Sequence, residues 1–263
     1  MSYTIQQVID TIISSVPGAP FEDSVDVFKS GDPAQPVTGI VTTFIATRRV
    51  IDRAAEVGAN LIITHEPTYF EHRDAADWLP GDPVVESKRR LIERHSIAIW
   101  RFHDYWHMHR PDGIETGFVR LLGWEAHQDA AHSNLVTLPD TTLADLVSFL
   151  KSRLDMPTMR VVGQPDMPCR RVAIVLGALP GHVQIGILRD SAADVLICGE
   201  TTEWQTCEYV RDAVAAGMHK ALVILGHEKS EEPGMAYLAD WLRDKAPGVP
   251  ITHVPAGDPL SFW

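Results

Sequence analysis

The sequence predicts an α/β protein with two related lobes. Short apolar runs alternate with amphipathic segments along most of the 263 residues, and hydrophobic residues make up 45% of the chain. Continuous apolar runs between helical segments are typical of buried parallel strands. The two halves share one plan of strand, helix, strand and acidic turn. We therefore predict a first lobe over 1–128, a second over 129–231, and a C-terminal helix and strand over 232–263 that can return to the first lobe.

The elements of the first half follow from periodicity and from turn residues. Ile5, Val8, Ile9, Ile12 and Ile13 share one face of an opening helix, which Pro17-Gly18 ends. The same reasoning predicts strands over 37–46, 59–64 and 96–102 and helices over 48–57, 83–94 and 113–122.

Polar residues over 127–134 indicate the lobe boundary, and the alternation then resumes. Asp140 or Thr141 is expected to cap a helix that carries Leu143, Leu146 and Leu150. The remaining elements are predicted as strands over 172–176, 194–198, 221–225 and 251–254 and helices over 182–189, 203–216 and 233–243.

Charge and composition exclude several classes of protein. The net charge of -12 disfavours binding to nucleic acid or to an anionic membrane, and the longest basic run is Lys88-Arg89-Arg90. No basic leader, bilayer-length apolar run or anchor signal is present, so we expect a cytoplasmic protein. The three cysteines are an odd number without a CxxC pair, which argues against a disulfide framework.

Three apolar runs stop at a histidine that has a second metal-type ligand within four residues. His65 is followed by Glu66, His103 by His107 and His227 by Glu231. A lone histidine after a strand is more often a surface residue than a ligand. Sites in α/β sheets gather beyond the carboxyl ends of the strands, so three such histidines favour a metal centre.

The chemistry of this ligand set indicates the metals. Imidazole and carboxylate ligands suit Zn, Fe, Mn, Co or Ni better than Ca. Six ligands are more than one tetrahedral ion needs, so the sequence predicts two metal ions. Two neighbouring ions can activate water, which is typical of a hydrolytic site. Because Pro233 fits the first turn of a helix, His227 and Glu231 are expected in the loop that enters it.

Glu200 is a further candidate, because it lies between a predicted strand and a predicted helix. It could serve as a general base or as a carboxylate that orients a ligand, and helix capping is the alternative. The chain lacks the Walker A, GxGxxG, GxSxG and HExxH motifs of other enzyme classes.

Nearly the whole chain resembles the NIF-three-like family, sometimes called GTP cyclohydrolase 1 type 2 homologues. Residues 63–67 resemble its I-T-H-H-P segment, 103–107 its H-T-N-L-D segment, 197–200 its T-G-[DE] turn, and 226–231 match its G-H-x-x-[ST]-E motif. Glu66 stands where the family usually has a second histidine, and His107 where it has a ligand aspartate. The number of ligands is thus preserved.

The resemblance implies lobes with mixed or parallel sheets around a metal-bearing cleft, and a toroidal homohexamer. It also implies two divalent transition-metal ions held by His65, Glu66, His103, His107, His227 and Glu231, although His103 could instead support a ligand. The expected activity is metal-dependent hydrolysis of a small, nucleotide-like substrate, with Glu200 as the catalytic carboxylate. The alternative is a non-catalytic protein that handles metal, regulates or serves as an interaction scaffold.

Overall fold

The predicted α/β class is confirmed by a computed structural model, which describes residues 3–261 and 263. The chain divides into two compact units. Unit 1 comprises the residues as far as Gly117 together with Glu232–Gly257, and unit 2 comprises Phe118–Glu231 with the residues that follow Gly257.

Unit 1 contains a five-stranded sheet with the order β1-β4-β3-β2-β10. Strands β10, β2, β3 and β4 are parallel, and β1 pairs with β4 in the antiparallel direction. The bounds are β1 Phe28–Ser30, β2 Ile40–Thr43, β3 Leu61–Thr64, β4 Ala98–Arg101 and β10 Ile251–His253.

Unit 2 contains a second five-stranded sheet with the order β5-β7-β8-β9-β6. Its three central strands are parallel, and β5 and β6 are antiparallel strands at the two edges. The bounds are β5 Leu135–Thr142, β6 Arg160–Val162, β7 Pro168–Val175, β8 Val195–Cys198 and β9 Ala221–Ile224.

Nine α-helices connect and follow these strands among the described residues. They are α1 Ile5–Ser14, α2 Arg48–Glu56, α3 Pro83–Arg94, α4 Asp104–Met108, α5 Gly113–Leu122, α6 Leu143–Arg153, α7 Gly181–Asp190, α8 Glu208–Ala215 and α9 His227–Leu242. A short 3-10 helix covers Glu125–His127, and a π-helix at Glu203–Cys207 leads into α8.

Helices cover the parallel strands because those strands are apolar on both faces. In unit 2, Val172 and Ile197 of one sheet face pack in the same core as Leu146 of α6. Ala173 and Leu196 of the opposite face lie in a core with residues of α7 and α8. The central strands β7, β8 and β9 therefore form the packed base of unit 2, and α9 begins three residues after the end of β9.

Several predictions about individual elements need correction. The capping residue of α6 is Thr142, whose side chain accepts from the backbone N–H of Asp145, and not Asp140 or Thr141. The predicted helix over 233–243 begins earlier, at His227, and contains Pro233 in its interior. The short strands β1 and β6 and the helix α4 were not predicted, since three to five residues carry too little periodicity.

None of the helices in the described part of the chain combines the length and the apolar character that crossing a bilayer requires.

Gly31 lies where an added side chain would clash with β4. Its φ of +85° lies in the left-handed region, and a Cβ atom there would lie 2.5 Å from Cα of Ala98 in β4. Gly58 has a similar φ of +73° but no atom within 4 Å of the added Cβ. Alanine at either position costs about 1–2 kcal/mol of backbone strain. Gly31→Ala should cost a further 1–3 kcal/mol, approximately, from overpacking.

Urea denaturation of the two variants separates these contributions to the free energy of unfolding. Equal losses of stability in Gly31→Ala and Gly58→Ala would show that β1 does not approach β4 this closely.

Candidate metal centre

The first group of ligands lies at one edge of the unit 1 sheet. His65 follows the last residue of β3, and His103 comes two residues after the end of β4. These strands are parallel neighbours with Thr64 opposite Arg101, so both histidines leave the sheet at the same edge. His107 lies one helical turn beyond His103, on α4.

The structure brings these three imidazoles together. The ring centroids of His65 and His103 are 4.6 Å apart, those of His65 and His107 5.1 Å, and those of His103 and His107 5.0 Å. One potential ligand atom from each residue lies within 4.8 Å of the other two. His65 is fully buried, whereas His103 and His107 are partly exposed.

Each of the three rings also has an oxygen acceptor at its Nδ1 atom. His65 Nδ1 lies 3.2 Å from the carbonyl oxygen of Phe102, His103 Nδ1 2.9 Å from Oδ1 of Asp104, and His107 Nδ1 3.0 Å from Oδ2 of Asp112. Carbonyl and carboxylate oxygens accept hydrogen bonds, so each Nδ1 donates its proton. This tautomer leaves the lone pair on Nε2, which is the form in which histidine binds a metal.

The carboxylate of Asp26 supports the backbone that carries His103. It accepts hydrogen bonds from the N–H groups of His103 at 2.8 Å, Asp104 at 2.9 Å and Tyr105 at 2.8 Å. These N–H groups lie at the start of α4, where a helix leaves its first donors without internal partners. Burial raises the pKa of Asp26, and the three hydrogen bonds oppose that rise.

Electrostatics keep His103 neutral. Burial and the neighbouring imidazoles of His65 and His107 lower the pKa of His103 to about 3. Burial favours a higher pKa for Asp104, but hydrogen bonds from Val25 N–H and from His103 outweigh it and hold the pKa of Asp104 below its usual range. A neutral imidazole beside an ionised carboxylate is the arrangement that metal ligation requires.

Glu66 lies beside the histidines and contacts a buried arginine. Its Oε1 atom is 3.8 Å from Nε2 of His103, and its Oε2 atom is 3.4 Å from Nη2 of Arg101. The Arg101 side chain is fully buried and also donates to the carbonyl oxygens of His65, at 2.9 Å, and of His72. Arg101 therefore connects the chain after β3 to the end of β4.

The second group of ligands lies in unit 2. His227 is the first residue of α9 and Glu231 lies four residues later, so both occur on one helix face rather than in the predicted entry loop. Pro233 lies inside the helix and removes one backbone donor without ending it. Since β9 belongs to the unit 2 sheet, only His65 and His103 follow neighbouring strands of one sheet.

Two carboxylates contact the imidazole of His227. Oε1 of Glu200 lies 2.9 Å from Nδ1, and Oε2 of Glu231 lies 3.0 Å from Nε2. Glu200 thus orients His227. It is not the N-cap residue of the π-helix that follows, because that position is Thr202. Gly177, with φ +70°, leaves the space that Glu231 occupies, because a Cβ atom there would lie 2.4 Å from its Oε1.

The donor set of unit 1 fits a divalent transition metal. Three imidazoles with oriented Nε2 atoms and an adjacent carboxylate match the nitrogen and oxygen ligands of Zn, Fe, Mn, Co or Ni. Unit 1 thus brings together His65, Glu66, His103 and His107, and unit 2 brings together Glu200, His227 and Glu231.

Sequence reasoning missed the residues that orient these ligands. Asp104 follows His103 directly, and Asp112 comes five residues after His107, so a search for carboxylates near each histidine would have found both. No comparable local pattern in the sequence identifies Asp26 or the buried Arg101.

Comparison with known proteins identifies a family that matches nearly the whole chain. The family model described as Duf34/NIF3 (NGG1p interacting factor 3) matches residues 4–258. A Clostridium perfringens protein named GTP cyclohydrolase 1 type 2 homolog is 25% identical over 244 residues, which cover 88% of each chain. An Escherichia coli protein of the same name is 25% identical over 234 residues, which cover 85% of this chain and 86% of that protein.

Solved structures show the same fold. A Bacillus cereus protein related to NIF3 superimposes with a TM-score of 0.81 at 17% identity, and the match covers 100% of both chains. A hypothetical protein of Staphylococcus aureus superimposes with a TM-score of 0.76 at 20% identity, again over 100% of both chains. The chain therefore belongs to the Duf34/NIF3 (NGG1p interacting factor 3) family.

Proposed function

We propose that this protein is a metal-dependent hydrolase that binds two divalent transition-metal ions through its two ligand groups. The six proposed ligands are His65, Glu66, His103, His107, His227 and Glu231. The observation that carries the proposal is the group of three imidazoles in unit 1, each with its Nδ1 atom held by an oxygen acceptor. When bound, such ions acidify water and polarise a substrate oxygen.

The exposure of the ligands supports catalysis as well as binding. The side chains of His103 and His107 are 22% and 34% exposed, so small molecules can reach this side of the group. Three protein ligands are the usual number in catalytic zinc sites, which keep one position open, whereas structural sites use four.

The substrate proposed is small and nucleotide-like. Curated relatives carry GTP in their names, which makes GTP the first compound to test. The exposed Arg110 donates to the carbonyl oxygen of His107 at 3.1 Å. It thus supplies a guanidinium close in the chain to a proposed ligand, and guanidinium groups bind phosphate in a bidentate manner.

Glu200 is proposed to move a proton during hydrolysis. Its side chain is 58% exposed and its carboxylate accepts from Nδ1 of His227, so it can exchange protons with solvent while it orients a ligand. The resemblance to the family further supports a toroidal homohexamer as the assembly. The cytoplasm is the proposed location.

Metal content and turnover test the proposed function. We expect two ions per chain by elemental analysis of the purified protein, and hydrolysis that a chelator abolishes and added metal restores. His107→Ala and His227→Ala should each hold less metal than the wild type and lose activity. His182→Ala, at an exposed histidine of α7, is the matched control and should keep both.

Equal trace metal in the wild type and all three variants would contradict the proposed centre. Two bound ions without chelator-sensitive turnover of GTP or other nucleotides would instead favour the non-catalytic, metal-handling alternative.

Two substitutions at Glu200 separate proton transfer from orientation. Glu200→Gln keeps an oxygen acceptor for His227 but removes the base, so metal content should persist while kcat falls by about 10²–10⁴. Glu200→Ala removes both functions and should also weaken metal binding by roughly 10–100-fold. If Glu200→Gln keeps the wild-type kcat, Glu200 orients His227 but does not transfer a proton in the reaction.

The assembly is tested by light scattering coupled to size-exclusion chromatography. We expect a particle of six chains across the concentration range, because the family resemblance implies a closed ring. A monomer or dimer at all concentrations would refute the hexamer.

A further inference from the structure

We infer that the three histidines of unit 1 form a complete site for the first metal ion, which binds there without any ligand from unit 2. We also infer that Asp104 and Asp112 are positioning residues for this ion. The inference rests on the metal-binding part of the proposed function and specifies the order in which the two ligand groups are filled.

The two ligand groups are organised differently. In unit 1 each ring uses Nδ1 to donate to an oxygen, which directs the lone pair of Nε2 towards ligation. In unit 2 the ligating atoms of His227 and Glu231 contact one another at 3.0 Å. A metal ion that binds His227 and Glu231 has to replace that contact.

The carboxylate of Glu66 is paired with a buried positive charge. Its Oε2 atom is held at 3.4 Å by the guanidinium of Arg101, which is fully buried. Removing the carboxylate from a buried arginine leaves the guanidinium without its anionic partner, which is strongly unfavourable. Ligation by His65, His103 and His107 takes no carboxylate from a buried arginine, because the Nδ1 atoms of these rings lie beside oxygen acceptors, so they are the ligands of the first ion.

The carboxylates of Asp104 and Asp112 hold the imidazoles of His103 and His107 in place. Asp112 accepts from the backbone N–H of Glu115 with Oδ1 and from His107 with Oδ2. Asp104 similarly accepts from Val25 N–H with Oδ2 and from His103 with Oδ1. In each case one carboxylate oxygen is tied to the backbone and the other fixes a ring, so both carboxylates transmit the rigidity of the fold to a ligand.

The experiment is a titration of metal-free, full-length protein with Zn²⁺, followed by calorimetry, and with Co²⁺, followed by visible absorption. Two binding steps are expected for the wild type. His227→Ala, Glu231→Gln and Glu66→Gln should keep the first step within about twofold in affinity and change only the second. His107→Ala should remove the first step, and circular dichroism checks that each variant is folded.

Asp112→Asn tests the positioning role. The introduced amide can still accept from Glu115 N–H with its oxygen, but its nitrogen cannot accept from His107. The affinity for the first ion should therefore fall by about 10–100-fold. Asp129→Asn is the matched control, because Asp129 also accepts from backbone N–H groups and lies 3.6 Å from Nδ1 of His132, which is not a proposed ligand.

The results distinguish this inference from the proposed hydrolase. If His227→Ala weakens the first step as much as His107→Ala does, the first ion needs both units and the inference is wrong. Equal affinities in Asp112→Asn and Asp129→Asn would overturn the positioning role. If the first ion binds as inferred but no compound is hydrolysed, the hydrolase proposal fails and this inference stands.

Discussion

The unit 1 ligand group depends on the hydrogen bonds that the carboxylate of Asp26 accepts from three consecutive backbone N–H groups. These bonds fix the chain at the start of α4, a helix too short to be stable by itself. Because α4 carries both His103 at its start and His107 one turn later, the separation of the two imidazoles follows from this single anchor. His65 then reaches the same place from the neighbouring strand.

A buried arginine gives the carboxylate at position 66 a structural role. Arg101 is fully buried at the end of β4, and a guanidinium in that setting needs an anionic partner as well as carbonyl acceptors. Glu66 supplies the charge, whereas a histidine at that position could not do so in its neutral form. Glu66 and His107 thus leave unit 1 with three grouped imidazoles and a carboxylate that compensates Arg101.

The two ligand groups use different local structures for related chemistry. In unit 1 the histidines extend from the ends of adjacent parallel strands and from a short helix. In unit 2 His227 and Glu231 share one face of α9, and the absence of a side chain at Gly177 makes room for the carboxylate. Each group has its own orienting carboxylates, which are Asp104 and Asp112 in the first and Glu200 in the second.

The sequence by itself determined the α/β class, most strands and helices, and the types of residue in the ligand set. Apolar runs and strand-end histidines are local patterns, so they can be recognised without the fold. The start of α9 differs from the prediction because Pro233, a residue type that favours the first turn of a helix, lies inside this one.

Only the tertiary structure decided which ligands share a unit and what orients them. Asp26 and His103 are 77 residues apart, and no periodicity links a carboxylate to backbone N–H groups at that distance. The assignment of β9 to a second sheet likewise depends on strand pairing, which brings together segments that are distant in the chain. Contacts of this kind arise from packing of the whole unit, and a local sequence pattern does not encode them.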